Sequence, residues 1–186
     1  MPRTFVSGLL IVASLPCALA ETPYPSEWPK PKLDPSGACL SLSGKYQYRG
    51  DVDRRDRQGL PTIDRAAFNR MSVQGRPRAA TFEHDIKSGV VAVQIVGDSI
   101  APPERAKFTR ELTCEGGWSV NLRQLGNCAN LDAAPFDCRQ VRLLYTTAED
   151  RSLIVHFTTL AVSKKAFAEP TKFVVDAWYR FELEVQ

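Results

Sequence analysis

Apolar and polar side chains alternate along the C-terminal segment Lys172–Val185, and this pattern restricts the fold more than any other feature of the chain. One face holds Phe173, Val175, Ala177, Tyr179, Phe181, Leu183 and Val185. The opposite face holds Asp176, Arg180, Glu182 and Glu184, with Val174 and Trp178 as apolar exceptions. A period of two is the side-chain repeat of a β-strand, and one apolar face beside one polar face is typical of an antiparallel sheet.

Seven earlier segments alternate in the same way, so we label eight predicted strands A to H in chain order, with Lys172–Val185 as strand H. Strand A lies in Cys39–Gly50. The residues of strands A to G predicted to face inward are Leu42, Tyr46 and Tyr48; Ala80, Phe82 and His84; Val91, Val93 and Ile95; Ala106, Phe108 and Leu112; Trp118, Val120 and Leu122; Val141, Leu143 and Tyr145; and Leu153, Val155 and Phe157. Short turns connect most strands, which favours an all-β, eight-stranded antiparallel up-and-down barrel; a β-sandwich is the alternative.

The connection between strands A and B contains one short predicted helix, Thr62–Met71. Pro61 and Thr62 are suited to its start, and apolar side chains recur at Ile63, Ala67 and Met71. A helix that follows strand A is expected to lie over one mouth of the barrel as a lid.

The first twenty residues have the parts of an export signal. Arg3 provides the positive start, Phe5–Pro16 the apolar run, and Ala18-Leu19-Ala20 a small-x-small cleavage site. The run is shorter than the roughly 20 apolar residues of a membrane anchor, and lipid attachment at Cys17 would need a small residue where Pro16 stands. We therefore expect an exported protein, periplasmic or secreted, without a transmembrane segment after cleavage.

Five prolines follow between Thr22 and Ser36. Proline fixes φ and has no backbone donor, so residues 21–38 are predicted to form an extended leader outside the sheet. Residues 39–186 are predicted to form a single barrel domain, a length that suits one core.

Four cysteines remain after cleavage: Cys39, Cys114, Cys128 and Cys138. An even number in an exported chain favours disulfides, and the lack of a CxxC pair or a nearby histidine argues against a metal site. An up-and-down chain changes ends at every strand, which places Cys39 with Cys114 at one end and Cys128 with Cys138 at the other. Because bridged Cα atoms lie within about 6 Å, the predicted disulfides are Cys39–Cys114 and Cys128–Cys138.

Two short motifs carry a resemblance. Cys39, the run Leu42-Ser43-Gly44-Lys45-Tyr46, Gly50, and the later Cys114-Glu115-Gly116-Gly117-Trp118 together resemble small exported proteobacterial proteins of uncharacterised function. Gly44-Lys45-Tyr46 at the start of strand A is also similar to the Gly-x-Trp start of lipocalins, with tyrosine in place of the tryptophan. The resemblance implies a lipocalin-like barrel and names no ligand.

The charge balance argues against a nucleic-acid partner. The chain carries +3, and cleavage after Ala20 removes Arg3 and no acidic residue, which leaves +2. Nine basic and four acidic residues lie within Lys45–Arg78. This segment is either a solvated loop surface or a weak contact site for an anionic surface.

No motif in the chain identifies a reaction or a cofactor. There is no Gly-x-Ser-x-Gly nucleophile motif, and no glycine-rich phosphate loop follows a strand. His84 shares a face with Phe82 and is expected to be hydrogen-bonded to a neighbour near a barrel mouth. His156 alternates to the outer face of strand G and is expected to be a surface residue. We therefore expect neither catalytic residues nor a cofactor.

Two functions remain open. An eight-stranded wall can hold a small apolar ligand or be filled by its own side chains. The first function is non-catalytic binding of such a ligand in or at the mouth of the barrel, with the candidate residues Tyr46, Tyr48, Phe82, His84, Trp118, Tyr145 and Tyr179. The alternative is a protein–protein interaction module of the cell envelope, an inhibitor or assembly accessory, that acts through its loops and leader.

Overall fold

The computed structural model of the chain describes residues 22–53, 62–68, 73–103, 106–125, 138–163 and 171–184. These residues form antiparallel strands in two sheets, so the predicted all-β, antiparallel class is confirmed. The predicted signal peptide and the predicted disulfide partner Cys128 lie outside the described residues, so export and the Cys128–Cys138 pair stay predictions.

The larger sheet, sheet I, has seven strands. They are β1 (Pro31–Lys32), β3 (Asp51–Asp53), β7 (Thr113–Glu115), β8 (Trp118–Leu125), β9 (Cys138–Ala148), β10 (Leu153–Ser163) and β11 (Thr171–Phe181). The strand order is β3-β11-β10-β9-β8-β7, and β1 pairs with the end of β9. From β7 to β11, therefore, each strand lies beside its neighbour in sequence.

The smaller sheet, sheet II, has four strands in the order β2-β4-β5-β6. They are β2 (Gly44–Gln47), β4 (Gln74–Asp85), β5 (Val90–Ala101) and β6 (Lys107–Glu111). Predicted strand A contains β2, whereas β3 lies in the predicted A–B connection and joins the other sheet; predicted strand D is divided between the sheets as β6 and β7. Within the described ranges the ladders form two sheets and not one closed barrel, which fits the sandwich alternative.

Backbone contacts join the two sheets beside β2. Tyr46 forms an isolated antiparallel bridge with Leu183, two residues beyond β11. Next to this bridge the Glu184 N–H donates to the Lys45 carbonyl at 2.7 Å. The edge of sheet II that carries β2 therefore lies against the end of β11.

The inward faces of both sheets share one hydrophobic core. For strands A to D and F to H, the described apolar residues predicted to face inward are buried in this core or packed against it. They are Leu42, Tyr46, Tyr48, Ala80, Phe82, Val91, Val93, Ile95, Ala106, Phe108, Leu112, Val141, Leu143, Tyr145, Leu153, Val155, Phe157, Ala177, Tyr179, Phe181 and Leu183. Alternation therefore predicted these seven inward faces correctly.

Strand E is the exception, because the orientation predicted for its side chains is wrong. The residues predicted to face inward were Trp118, Val120 and Leu122. In the β8–β9 ladder, Ser119 lies opposite Tyr145 and Arg123 opposite Val141, and both partners are buried in the core. Residues directly opposite in an antiparallel pair share a face of the sheet. The inward face of β8 therefore carries Ser119, Asn121 and Arg123.

The leader was predicted to lie outside the sheet, and this is wrong for β1. Pro31 pairs with Ala148 and Lys32 with Thr147. A proline is compatible with this position because only two residues pair and a short edge segment does not need every backbone donor. Residues 22–37, which we call the strap, lie against the outer face of sheet I.

In its described part, the helix of the A–B connection is shorter than predicted. Helix α1 spans Ile63–Ala66 and is followed by a turn through Phe68. Ile63 and Phe68 are both buried in the core between the sheets. The predicted continuation to Met71 lies outside the described residues.

The predicted disulfide Cys39–Cys114 is confirmed, with a Cα–Cα distance of 5.6 Å. It links the segment that directly follows the strap to β7. The prediction succeeded because both cysteines lie at the end of the sheets where strand A begins and strand D finishes.

Candidate functional site

Five of the seven predicted ligand-binding residues meet in the core: Tyr46, Tyr48, Phe82, Tyr145 and Tyr179. The other two lie elsewhere. His84 lines a cavity beside the disulfide, and Trp118 packs on the outer face of sheet I. The structure therefore does not bring the seven residues into one cluster, and ligand binding by them stays a prediction.

Phe68 occupies the space between the sheets where the predicted ligand residues meet. Its ring centre lies 4.9 Å from that of Phe108 and 5.5 Å from that of Phe82, both in sheet II. On the other side it stacks on Tyr145 of sheet I, at 5.9 Å and 28°. Aromatic pairs at these distances are attractive beyond the area they bury. A residue from the A–B connection thus fills this part of the interior.

Two tyrosine hydroxyls in the core donate to backbone carbonyls. Tyr145 donates to Ala67, directly beside Phe68, and Tyr46 donates to Leu42 at 3.0 Å. Burial raises the pKa of Tyr46 to about 12 and also raises the pKa of Tyr145. Both hydroxyls therefore remain protonated donors at neutral pH.

Two arginines face the same interior. Arg110 on β6 lies opposite Val91, and Arg123 on β8 lies opposite Val141, and both valines are fully buried in the core. The Asn121 side-chain amide, also on the inward face of β8, donates to the Glu111 carbonyl at 3.1 Å. Alternation from Phe108 to Leu112 places Arg110 on the core side, so this signal was present in the sequence. Arg123 was missed because strand E was predicted in the opposite orientation.

The two guanidinium groups act on the core electrostatically. Burial raises the pKa of Tyr145, and the positive charges of Arg123 and Arg110 oppose this rise. Both guanidinium groups therefore interact electrostatically with the Tyr145 hydroxyl. The Arg110 Cζ atom lies 5.4 Å from the centre of the Phe108 ring, within cation–π range. This end of the interior therefore combines aromatic rings with positive charge.

His84 lies at the opposite end of β4, by the disulfide. Its Nδ1 accepts from the Leu42 N–H at 3.3 Å, and its own backbone N–H donates to the Ser43 hydroxyl at 2.9 Å. Burial holds the pKa of His84 below its usual value of 6.5. The adjacent cavity of about 230 Å³ is lined by the disulfide and by the turn that contains Lys87. The neutral ring thus has a local hydrogen bond, as the sequence led us to expect.

The prediction that His156 is an ordinary surface residue is wrong. His156 is only 3% exposed; its Nε2 lies 2.5 Å from Asp176 Oδ1, and its ring stacks on Trp178 at 3.9 Å and 6°. The strap covers this group: the Thr22 N–H donates to Asp176 at 2.6 Å, and the Trp178 indole donates to the Thr22 carbonyl at 2.8 Å. Tyr24 contacts Trp178 edge-on at 5.1 Å. An imidazole–carboxylate pair can activate a nucleophile. The described contacts of the His156–Asp176 pair, however, are with Trp178 and the strap.

The outer face of sheet II carries a shallow groove of about 410 Å³. Its lining side chains on the outward face are Thr81, Glu83, Ala92, Gln94, Lys107 and Thr109. Because these are mainly exposed polar groups, the groove differs from the aromatic interior in chemistry.

The described part of the basic segment Lys45–Arg78 is partly neutralised by ion pairs. Lys45 lies 2.7 Å from Glu184, and Arg78 lies 3.4 Å from Asp98. Residues 54–61 and 69–72 of the segment lie outside the described ranges. Contact with an anionic surface stays a prediction.

The described residues contain no group of three or more histidine, cysteine or acidic side chains that could hold a metal ion. None of the helices in the described part of the chain has the length and apolar character needed to cross a membrane. Comparison of the chain with protein-family models, with curated proteins and with solved structures finds no match.

Proposed function

We propose that the protein is an exported, non-catalytic binding protein that holds a small apolar ligand between its sheets, at the position of the Phe68 ring. The observation that carries this proposal is the set of rings around Phe68, contributed by both sheets. Ligand sites are typically lined by aromatic and apolar side chains with a few polar groups. Here Tyr145, Arg110 and Arg123 supply the polar groups.

Phe68 is a side chain that a ligand can replace. Helix α1 has only four residues, and the Thr62 side chain does not cap it. A helix of this length is unstable alone. Its position therefore depends on burial of its apolar residues in the core. A ligand that offers equivalent contacts to Phe82 and Phe108 therefore competes directly with Phe68.

We also propose that the two sheets are the halves of an eight-stranded, lipocalin-like up-and-down barrel. Two observations support this closure. The successive strand pairs β2–β3 and β6–β7 each place one strand in each sheet, and the Tyr46–Leu183 bridge links the remaining edges. An eight-stranded barrel has room for its own side chains or for one small ligand.

An exported location, periplasmic or secreted, is consistent with the disulfide Cys39–Cys114, because such bonds persist in oxidising compartments. The export signal in residues 1–20 is the independent reason for this part of the proposal.

Titration with N-phenyl-1-naphthylamine, a neutral apolar fluorophore, tests the ligand site. We expect saturable binding by the unaltered protein and several-fold tighter binding by Phe68→Ala, because removal of the competing ring raises the fraction of protein that can bind. Leu122→Ala is the matched control, since Leu122 is 59% exposed on the outer face of sheet I and its removal should leave the affinity unchanged.

Native mass spectrometry of protein isolated from its host envelope gives a second, variant-independent test. A retained small molecule supports the proposal. A retained protein, together with no saturable uptake of the fluorophore, supports the alternative interaction module and contradicts the ligand site.

A further inference from the structure

We infer that the groove on the outer face of sheet II binds a short zwitterionic peptide, with Glu83 at its ammonium end and Lys107 at its carboxylate end. The groove and the Phe68 ring lie on opposite faces of the same sheet. The inference is therefore independent of the proposed function, and it would give the protein a second binding site.

The strand register gives the groove a regular layout. Six outward side chains form two rows, each running across β4, β5 and β6 in that order: Thr81, Gln94 and Lys107 in the first row, and Glu83, Ala92 and Thr109 in the second. Directly opposite side chains in antiparallel strands share a face of the sheet. Glu83 and Lys107 therefore occupy opposite corners of one surface, and the small Ala92 side chain leaves the space between the corners open.

The two charged groups at these corners do not pair with each other. Glu83 and Lys107 are both exposed, and within the described ranges neither side chain forms a hydrogen bond or an ion pair with another residue. By contrast, Lys45 on the same sheet pairs with Glu184 at 2.7 Å. The groove thus presents one anionic and one cationic group to a ligand.

The separation of the two charges fits a peptide of three residues. Two strand spacings and an offset of two residues place the Glu83 and Lys107 Cα atoms about 12 Å apart. Three extended residues span at most about 10 Å between their terminal groups. The long side chains of Glu83 and Lys107 can close the remaining distance, so the peptide can form a charge-assisted hydrogen bond at each end.

The side chains between the charges suit a peptide backbone. The Gln94 amide offers both donors and an acceptor, and the Thr81 and Thr109 hydroxyls can also act in both ways. A peptide presents N–H donors and C=O acceptors along its length. The groove volume of about 410 Å³ lies within the range of small-molecule sites.

NMR titration of isotope-labelled protein tests the inference with three ligands: trialanine, N-acetyl-trialanine and trialanine amide. These peptides share a backbone and differ in their terminal charges. We expect saturable shifts of the Ala92, Gln94 and Thr109 backbone amide signals. Capping either end should weaken binding about fivefold, the upper range for one exposed ion pair.

Variants assign each end of the peptide to its residue. Glu83→Gln should weaken trialanine binding about fivefold and leave N-acetyl-trialanine binding unchanged, because that ligand has no ammonium group. Lys107→Gln should weaken trialanine binding equally and leave binding of the amide unchanged. Glu111→Gln on β6 and Lys87→Gln in the β4–β5 turn are matched controls, since both residues are exposed charges outside the groove lining. The dispersion of the amide signals establishes that each variant is folded.

The contrary results are distinct. Equal affinities for free and capped peptides, shifts confined to residues outside the groove, or no saturable shift each overturn the inference. Control variants that lose as much affinity as Glu83→Gln overturn the roles of Glu83 and Lys107. Groove signals that broaden with protein concentration in the absence of peptide would show that a second copy of the chain occupies this face, which also overturns the inference. The Phe68 site is tested separately and stands or falls on its own.

Discussion

The outer faces of the two sheets differ in whether a further layer of the chain covers them. On sheet I the strap covers a second apolar cluster, in which Ile154, His156 and Trp178 are buried. On sheet II the corresponding face shows exposed polar residues such as Glu83 and Gln94 around an open groove. The comparison teaches that an apolar residue on the polar side of an alternating strand can indicate a further layer. Trp178, an exception in the strand H pattern, was such an indication.

The largest test of this comparison removes the covalent link beside the strap, the disulfide that joins Cys39 to β7. Replacing Cys39 and Cys114 together by serine should lower the free energy of unfolding by about 4 kcal/mol, because the closed loop spans a sequence separation of 75. All three tryptophans, Trp28, Trp118 and Trp178, lie in the apolar cluster between the strap and sheet I, so urea unfolding followed by their fluorescence reports on this face. A loss below about 1 kcal/mol would show that the strap is held without the disulfide.

A smaller change in the free energy of unfolding compares the two outer faces directly. Trp178→Ala should cost about 3 kcal/mol, because it deletes a buried ring that contacts both His156 and Tyr24. Gln94→Ala on the outer face of sheet II should stay within about 0.5 kcal/mol, as is usual for exposed positions. Chemical denaturation monitored by circular dichroism compares the two. Equal losses would mean that the faces do not differ energetically.

The smallest effect is a dependence of stability on pH that comes from His84 in sheet II. Burial lowers the pKa of His84 in sheet II from 6.5, so the folded state binds its proton less readily than the unfolded state does. Stability should therefore decline as the pH falls below about 6.5 towards the lowered value of the folded state. The hydrogen bond from Ser88 lowers the pKa of Asp85 from 3.8, so that carboxyl acts only at lower pH.

His84→Gln should flatten this decline when thermal unfolding is measured between pH 7 and pH 5. If the decline persists unchanged in the variant, His84 is not its source.

Most of the fold could be predicted because side-chain alternation has a direct physical cause in the pleat of a strand. The prediction from alternation failed for strand E because side chains on both faces of β8 are packed, some in the core and some under the strap. Trp118 packs against Trp178 under the strap, at 6.0 Å, while Ser119 points into the core. When a sheet carries layers on both sides, the more apolar face of a strand need not be the one that faces the main core.

The candidate site was less predictable than the fold. The sequence placed Tyr145 and Phe82 on inward faces, and both contact Phe68. Insertion of Phe68 itself depends on where the A–B connection crosses the interior, which local periodicity does not determine. The position of Arg123 on the interior depends on the orientation of β8, which alternation alone predicted wrongly.

The attachment of Thr22 to sheet I has a consequence for the divergence of related chains. Thr22 uses only main-chain atoms, its N–H towards Asp176 and its carbonyl towards Trp178. Selection on this contact would act on the side chains of Asp176 and Trp178 and on the spacing from Thr22 to β1, while almost any residue with a backbone N–H could stand at position 22. Natural variants could thus lose all recognisable similarity in this segment and still hold it in the same place.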